Sequence, residues 1–256
     1  MQRLEDKIAI VTGGGRGIGR GIAQVLSQEG ASVVVADLRE DLARETVDGL
    51  SGPGLALRVD VTSLDDLEAM VAHTVDRFGR LDVLVNNAGV VGMAAAVDLD
   101  PAEWDRVLAV NTKALFFACQ VAARQMIKQG SGGKIVNIAS NAGRLGFPDQ
   151  PHYAASKGAV ISLTRALAME WIRDGIYVNA VAPGGVGTEL FAEAVSWTAQ
   201  RAGVSFAEMR DRWVAPVPLG RLIEPQEIGR VVAFLASSDA DIIVGQTINA
   251  DGGMTP

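Results

Sequence analysis

Cysteine, aromatic residues and positive charge are all scarce in this 256-residue chain. The single cysteine, Cys119, excludes an intramolecular disulfide and points to a reducing, cytoplasmic compartment. It lies in LFFACQVAA, an apolar setting that suits a packed thiol rather than a reactive one. Lys and Arg number 23 against 30 Asp and Glu, a net charge of -7 with no basic cluster. That balance argues against nucleic acid or an anionic membrane as partner, so any phosphate must be held locally by backbone amides and helix ends. No apolar run reaches the roughly eighteen residues a membrane span needs. The opening MQRLEDKIAIVTGG places charges where a signal peptide needs its apolar stretch. The two histidines, His73 and His152, and one cysteine make no transition-metal site expected.

What is present is a rhythm. Short runs rich in Val and Ile recur: KIAIVT (7–12), SVVVAD (32–37), LALRVD (55–60), DVLVNN (82–87), KIVNIAS (134–140), YVNAVAP (177–183) and QTINAD (246–251). They do not alternate with polar residues, which marks strands covered on both faces of a parallel sheet. Amphipathic stretches such as SLDDLEAMVAHTVDRFG lie between them, several ending in Gly, a usual helix stop. The fold class implied is α/β: one doubly wound Rossmann-like domain over 1–256, with a seven-stranded, mostly parallel sheet and helices on both faces. The segment 188–220 is too long for a plain connection, and is expected to fold as a lid over the carboxyl edge of the sheet.

TGGGRGIG (12–19) follows the first strand and opens the first helix, the context of a dinucleotide loop. Gly13, Gly17 and Gly19 permit a tight turn and close backbone approach, while the helix N-terminus offers free amides to a diphosphate. Asp37, at the end of the second run, can hold both ribose hydroxyls of an adenosine and repel a 2′-phosphate, favouring NAD over NADP. Arg16 and Arg39 pull the other way, since either could approach such a phosphate.

Tyr153 and Lys157, in PHYAASK, sit one helical turn apart. A free tyrosine titrates near 10. A cation about 4 Å away at an effective dielectric of about 20 contributes roughly 4 kcal/mol, or about 3 pKa units. The expected phenol pKa is then roughly 7, fit for proton transfer at neutral pH. His152, adjacent in sequence, points about 100° away on a helix and is expected at the surface or pocket rim. His73 is expected in solvent.

Together these motifs resemble the short-chain dehydrogenase/reductase family over nearly the whole chain. Besides the glycine loop with Arg16 and Ile18, Asp60-Val61 matches the family's adenine contact. Asn86-Asn87-Ala88-Gly89 is similar to its strand-four signature, and Pro183-Gly184 with Val186 and Thr188 to its nicotinamide-side loop. Asn111, Ser140, Tyr153 and Lys157 fall where the family keeps its catalytic four. The resemblance implies that Ser140 holds the substrate oxygen, Tyr153 moves its proton, Lys157 binds ribose and tunes Tyr153, and Asn111 completes a proton relay through water. It also implies NAD as cofactor and a homotetramer. The apolar stretches LFFACQVAARQM and VVAFLA fit this, being more apolar than a monomer would expose.

The reading that follows is an NAD-linked oxidoreductase of a secondary alcohol or ketone. A hydroxysteroid or 3-oxoacyl-type carbonyl reductase stands second, and a non-catalytic NAD-binding regulator third. Leu190, Trp197 and Trp213 are expected to give the substrate an apolar surface, with Asn141 and Gln150 as neutral polar contacts. Arg144 is the one cation in 141–153, so no dedicated carboxylate or phosphate clamp is expected. That favours an uncharged small-molecule substrate: a polyol, sugar or vicinal diol.

Overall fold

The structure is a computed structural model and describes residues 2–255. Seven strands form one sheet: β1 (Ile8–Thr12), β2 (Ser32–Asp37), β3 (Gly54–Arg58), β4 (Val83–Asn86), β5 (Gly133–Ile138), β6 (Ile176–Pro183) and β7 (Thr247–Ala250). Their spatial order is β3-β2-β1-β4-β5-β6-β7, and every pairing is parallel. Parallel strands need crossovers, supplied by α1 (Gly17–Gln28), α2 (Glu40–Asp48), α3 (Leu64–Phe78), α4 (Pro101–Leu108), α5 (Leu115–Gln129), α6 (Pro151–Trp171) and α9 (Pro225–Ala236). Chain order reverses between β1 and β4. There the connections leave in opposite directions and open a crevice at the carboxyl ends of the strands.

The unbroken Val/Ile runs have a physical cause. Ile10, Val34, Leu84 and Ile135 enter one apolar cluster, with α3, α5 and α6. Their neighbours Ala9, Val11, Val33, Val35, Val83, Val85 and Val136 enter a second on the other face, with α1 and α9. Both faces are covered, so neither can be polar. Each such side chain contributes about 1.5–3 kcal/mol by leaving water, and a charge at Ile10 or Val34 would break the sheet. LFFACQVAARQM and VVAFLA feed these same clusters: Leu115, Cys119, Met126, Val232 and Leu235 are all buried within the chain. Phe116, Phe117, Val231 and Phe234 in the same stretches are only partly buried.

Gly21 and Gly229 let α1 and α9 meet backbone to backbone. A Cβ at Gly229 would lie 2.9 Å from the Gly21 carbonyl oxygen, and one at Gly21 would lie 2.6 Å from Pro225. The lid segment forms two helices, α7 (Glu189–Ala202) and α8 (Phe206–Val214). They hold together through a small cluster of their own, Val195, Ala199 and Met209 with Phe191 and Trp213 packed against it. The Phe191 and Trp213 rings meet edge to face at 5.5 Å.

Candidate active site

A cavity of about 1010 Å³ runs along the carboxyl edge of the sheet from β2, past the glycine loop, to the lid. One end is built for an anion. Ser63, Asp100, Thr188 and Ser205 cap α3, α4, α7 and α8 with their side chains, but Arg16 gives α1 no side-chain cap, and the first turn of α1 has no acidic residue. Its amides therefore face the cavity beside Gly13, Gly17, Ile18 and Gly19. Gly13 and Gly17 have φ of +60° and +52°, a conformation glycine adopts without strain. At Gly19 any side chain would overlap the Gly13 carbonyl.

Thr12, not singled out from the sequence, fixes this loop to β4. Its hydroxyl accepts from the Asn87 and Ala88 amides at 3.1 Å each. The Asn87 side chain donates back to Thr12 and Gly13 carbonyls at 3.0 and 2.9 Å. Asp37 accepts from the Gly15 and Arg39 amides at 2.9 and 3.0 Å and lines the cavity. The competing cations are engaged elsewhere: Arg39 pairs with Asp41, and Arg16 with Glu189 across the mouth. Asp60, with its carboxylate bound to Thr62, lines the same cavity with Val61. Pro183, Gly184, Val186 and Thr188 line the opposite wall, with Gly184 against Asp251 and Thr188 against Gly17. The whole expected cofactor set meets in one cavity, and its free amides, close glycine backbone and ribose-side carboxylate fit a nicotinamide dinucleotide.

At the middle of the cavity lie Ser140, Tyr153 and Lys157. Ser140 lies two residues past the end of β5 in extended backbone, and its hydroxyl accepts from the Ala142 amide at 3.1 Å. Gly143 lets that turn lie against the Lys157 backbone, where a Cβ would approach within 2.8 Å. Lys157 donates to the Ile138 carbonyl at 2.8 Å and lies 5.8 Å from the centre of the Tyr153 ring. Burial pushes Lys157 down to about 8. Burial also pushes the Tyr153 phenol up, against a smaller opposing pull from the Ser140 hydroxyl. The expectation that Lys157 draws Tyr153 to roughly 7 is therefore not met by the protein alone. Lys157 is too deeply buried, and too far from the ring, to outweigh desolvation of the phenol.

Asn111 sits in a π-helical turn, Ala109–Ala114, between α4 and α5. Its amide accepts from Val90 N at 2.8 Å, donates to Val90 O at 2.9 Å and donates to Ser156 Oγ at 3.0 Å. The side chain so engaged clamps the strand-four loop to α6. Gly89 fits beneath it because a Cβ there would sit 3.2 Å from Asn111 Oδ1 and 3.6 Å from Lys157 Nζ.

On the substrate side, Asn141, Gln150 and Leu190 line the cavity, joined by Phe191, Trp213 and Met254. Trp197 does not. It lies on the outer face of α7 under the Arg201 guanidinium, 4.9 Å from its ring centre. The signal was in the spacing, because 190, 194 and 198 recur every fourth residue and define the inner stripe, leaving 197 outside. Arg144 is also outside, bound to the Thr247 carbonyl at 2.9 Å. Arg212, on the lid side of the cavity, pairs with Glu208 at 2.7 Å. His152 departs from expectation too: it is fully buried, not at a rim. His73 is exposed. Among the described residues no group of three or more His, Cys, Asp or Glu could hold a metal ion, and no helix is long and apolar enough to cross a membrane.

Comparisons with known proteins agree with this arrangement. The family model described as Enoyl-(Acyl carrier protein) reductase (adh_short_C2) matches residues 13–255. Sorbitol dehydrogenase of Cereibacter sphaeroides is 40% identical over 251 residues, 98% of each chain. Galactitol 2-dehydrogenase of Agrobacterium fabrum is 40% identical over 253 residues, again 98% of each. A crystal structure of a short-chain type dehydrogenase/reductase from Mycobacterium marinum superposes with a TM-score of 0.90 at 34% identity, covering 98% of this chain and 96% of that one. The chain belongs to the short-chain dehydrogenase/reductase family and is an oxidoreductase acting on CH–OH groups.

Proposed function

We propose that the protein is an NAD-dependent dehydrogenase of an uncharged polyol, sugar or vicinal diol. The observation that carries the cofactor choice is Asp37, anchored by two amides at the ribose end while Arg16 and Arg39 are each paired with a carboxylate. A 2′-phosphate would meet an anion there with no free cation to offset it. Bound NAD would supply the hydride acceptor.

The protein's own groups do the rest. Ser140 Oγ, at the cavity centre, holds the carbinol oxygen. Tyr153 takes the carbinol proton, with Lys157 as the neighbouring cation; Lys157 also has two ammonium hydrogens left after Ile138 for a ribose. The positive nicotinamide would add the electrostatic pull on the phenol that Lys157 alone does not supply. Asn111 keeps the wall at Val90 in place. The substrate end supports an uncharged ligand: Asn141 and Gln150 offer neutral donors and acceptors, Leu190, Phe191 and Trp213 offer apolar surface, and Arg212 of the lid pairs with Glu208. The two sugar-alcohol dehydrogenase relatives point the same way.

Self-association as a homotetramer remains part of this proposal. Its support is the apolar surface left on the helices, with Met169 74% exposed and Trp104 and Ile127 partly so. The test of the functional reading is a panel of polyols, sugars, diols, hydroxysteroids and acyl thioesters with NAD and NADP. NADH formation from a sugar alcohol or diol is the expected result; turnover confined to acyl thioesters would overturn it.

A further inference from the structure

His152 is the residue whose burial the reaction does not explain. It occupies the first turn of α6, after Pro151 and before Tyr153. Its relative exposure is 0%, yet neither ring nitrogen has a hydrogen-bond partner. A buried imidazole without partners is costly, and its position needs a reason. Three groups surround it. Gly92 lies so close that any side chain at 92 would overlap Nε2. Glu103 Oε1, on α4, stands 3.7 Å from Nε2, just beyond a hydrogen bond. Arg106 takes that carboxylate in a two-point contact at 2.7 and 2.8 Å, and reaches Val91 O at 3.3 Å.

The segment so gripped is a wall of the substrate cavity. Val90 and Val91 line it. Asn111 holds Val90 from one side, Arg106 holds Val91 from the other, and His152 fills the space over Gly92. The next stretch is tied to the same region, since Ala94 N donates to Asp149 O at 2.9 Å. We propose that His152 is a positioning residue for substrate binding: its neutral ring seats the Val90–Gly92 wall, and its protonation draws Glu103 off Arg106 and loosens that wall.

The charges acting on the ring are Glu103 and Arg106, both on α4, and they oppose one another. Burial is the larger influence and holds His152 below the usual histidine range. Arg106 meanwhile holds the Glu103 carboxyl below its own usual range, so Glu103 is an anion throughout. The neutral imidazole therefore prevails near neutrality. As pH falls below about 6.5, the ordinary value, a proton on Nε2 needs an acceptor, and Glu103 is the one within reach.

The inference rests on the reading of this cavity as the substrate site, but its first test does not need a substrate. The chain has two histidines, so selective imidazole labelling resolves exposed His73 from buried His152 by NMR. His152 should titrate below the ordinary histidine value of about 6.5. Amide exchange at Val91 and Gly92, corrected for its intrinsic pH dependence, should rise about tenfold as His152 titrates. His152→Gln should abolish that rise, and Glu103→Gln, a half-exposed change on α4 that keeps the fold, should abolish it too. With the best substrate of the panel, KM for that substrate should rise on the same acid limb in wild type but not in His152→Gln, with kcat and the KM for NAD within about twofold. A His152 that titrates at or above that ordinary value would overturn the proposal. So would an unchanged acid-side exchange profile in Glu103→Gln, or a His152→Gln enzyme that loses thermal stability with its KM profile intact. If no substrate turns over, the functional reading fails while titration and exchange still decide the role of His152.

Discussion

Lys157 and Tyr153 share one face of α6, with the lysine nitrogen 5.8 Å from the centre of the tyrosine ring and bonded to the Ile138 carbonyl at 2.8 Å. The pair is buried, and burial acts on both members in the sense that disfavours charge. Tyr153→Phe should therefore remove only the proton-transfer group. Turnover is expected to fall by about 10²–10⁴, with NAD affinity within about twofold by fluorescence titration. Lys157→Ala should impair both. Retained turnover in Tyr153→Phe would assign proton transfer to another residue.

The lysine also makes a prediction about stability. Its folded pKa, about 8, is below the ordinary lysine value of about 10.5. Between those values the unfolded chain binds the extra proton, so stability rises with pH across that window and the penalty is fully present below it. Lys157→Met should accordingly raise Tm at pH 7 by roughly a few degrees. The gain should shrink toward pH 10. Calorimetry at the two pH values checks this, and a gain independent of pH would contradict it.

Wild type should prefer NAD over NADP by at least about tenfold in kcat/KM, about 1.4 kcal/mol. Asp37→Ala should narrow the gap. Because Arg39 is paired with Asp41, Asp41→Asn should free a cation and improve NADP further in that background. Equal efficiency of wild type with both cofactors would show that the arginines reach the phosphate despite their carboxylates.

The two lid tryptophans separate by helix phase. Trp213→Ala should raise the substrate KM about tenfold, since it lines the cavity and packs on Phe191. Trp197→Ala should leave KM unchanged. The opposite pattern would mean that α7 is rotated about its axis.

Much of this was legible in the sequence because the relevant signals are local. Strands buried on both faces must be continuous in Val and Ile, and all seven runs fall within a residue or two of a strand, 55–60 and 134–140 each overshooting by two. Asp60 leaves β3 to bind Thr62 in a turn. The glycine loop, Asp37 and the Tyr153–Lys157 pair could be singled out because each depends on near neighbours in the chain, whereas Ser140 came with the family resemblance; the structure brings all of them to one cavity. The misses depend on distant ones. The burial of His152 requires Gly92 and Glu103, and no pattern around 152 announces either. A buried polar chain joins Asn86, Asn137 and Thr164, with Cys119 Sγ accepting from Asn86. It crosses two strands and two helices, and only the sheet order brings its members together. The thiol it encloses is pushed up to about 12 by burial, consistent with packing rather than reactivity.

The central claim, an NAD-linked dehydrogenase of an uncharged polyol, sugar or diol, is tested most directly by the initial rate of NADH formation with sorbitol, galactitol and a vicinal diol, run in parallel with NADP and with Tyr153→Phe. The account predicts NAD-dependent turnover of at least one of them that is lost in Tyr153→Phe. No turnover of any uncharged alcohol, alongside reduction of an acyl thioester with NADPH, would contradict it.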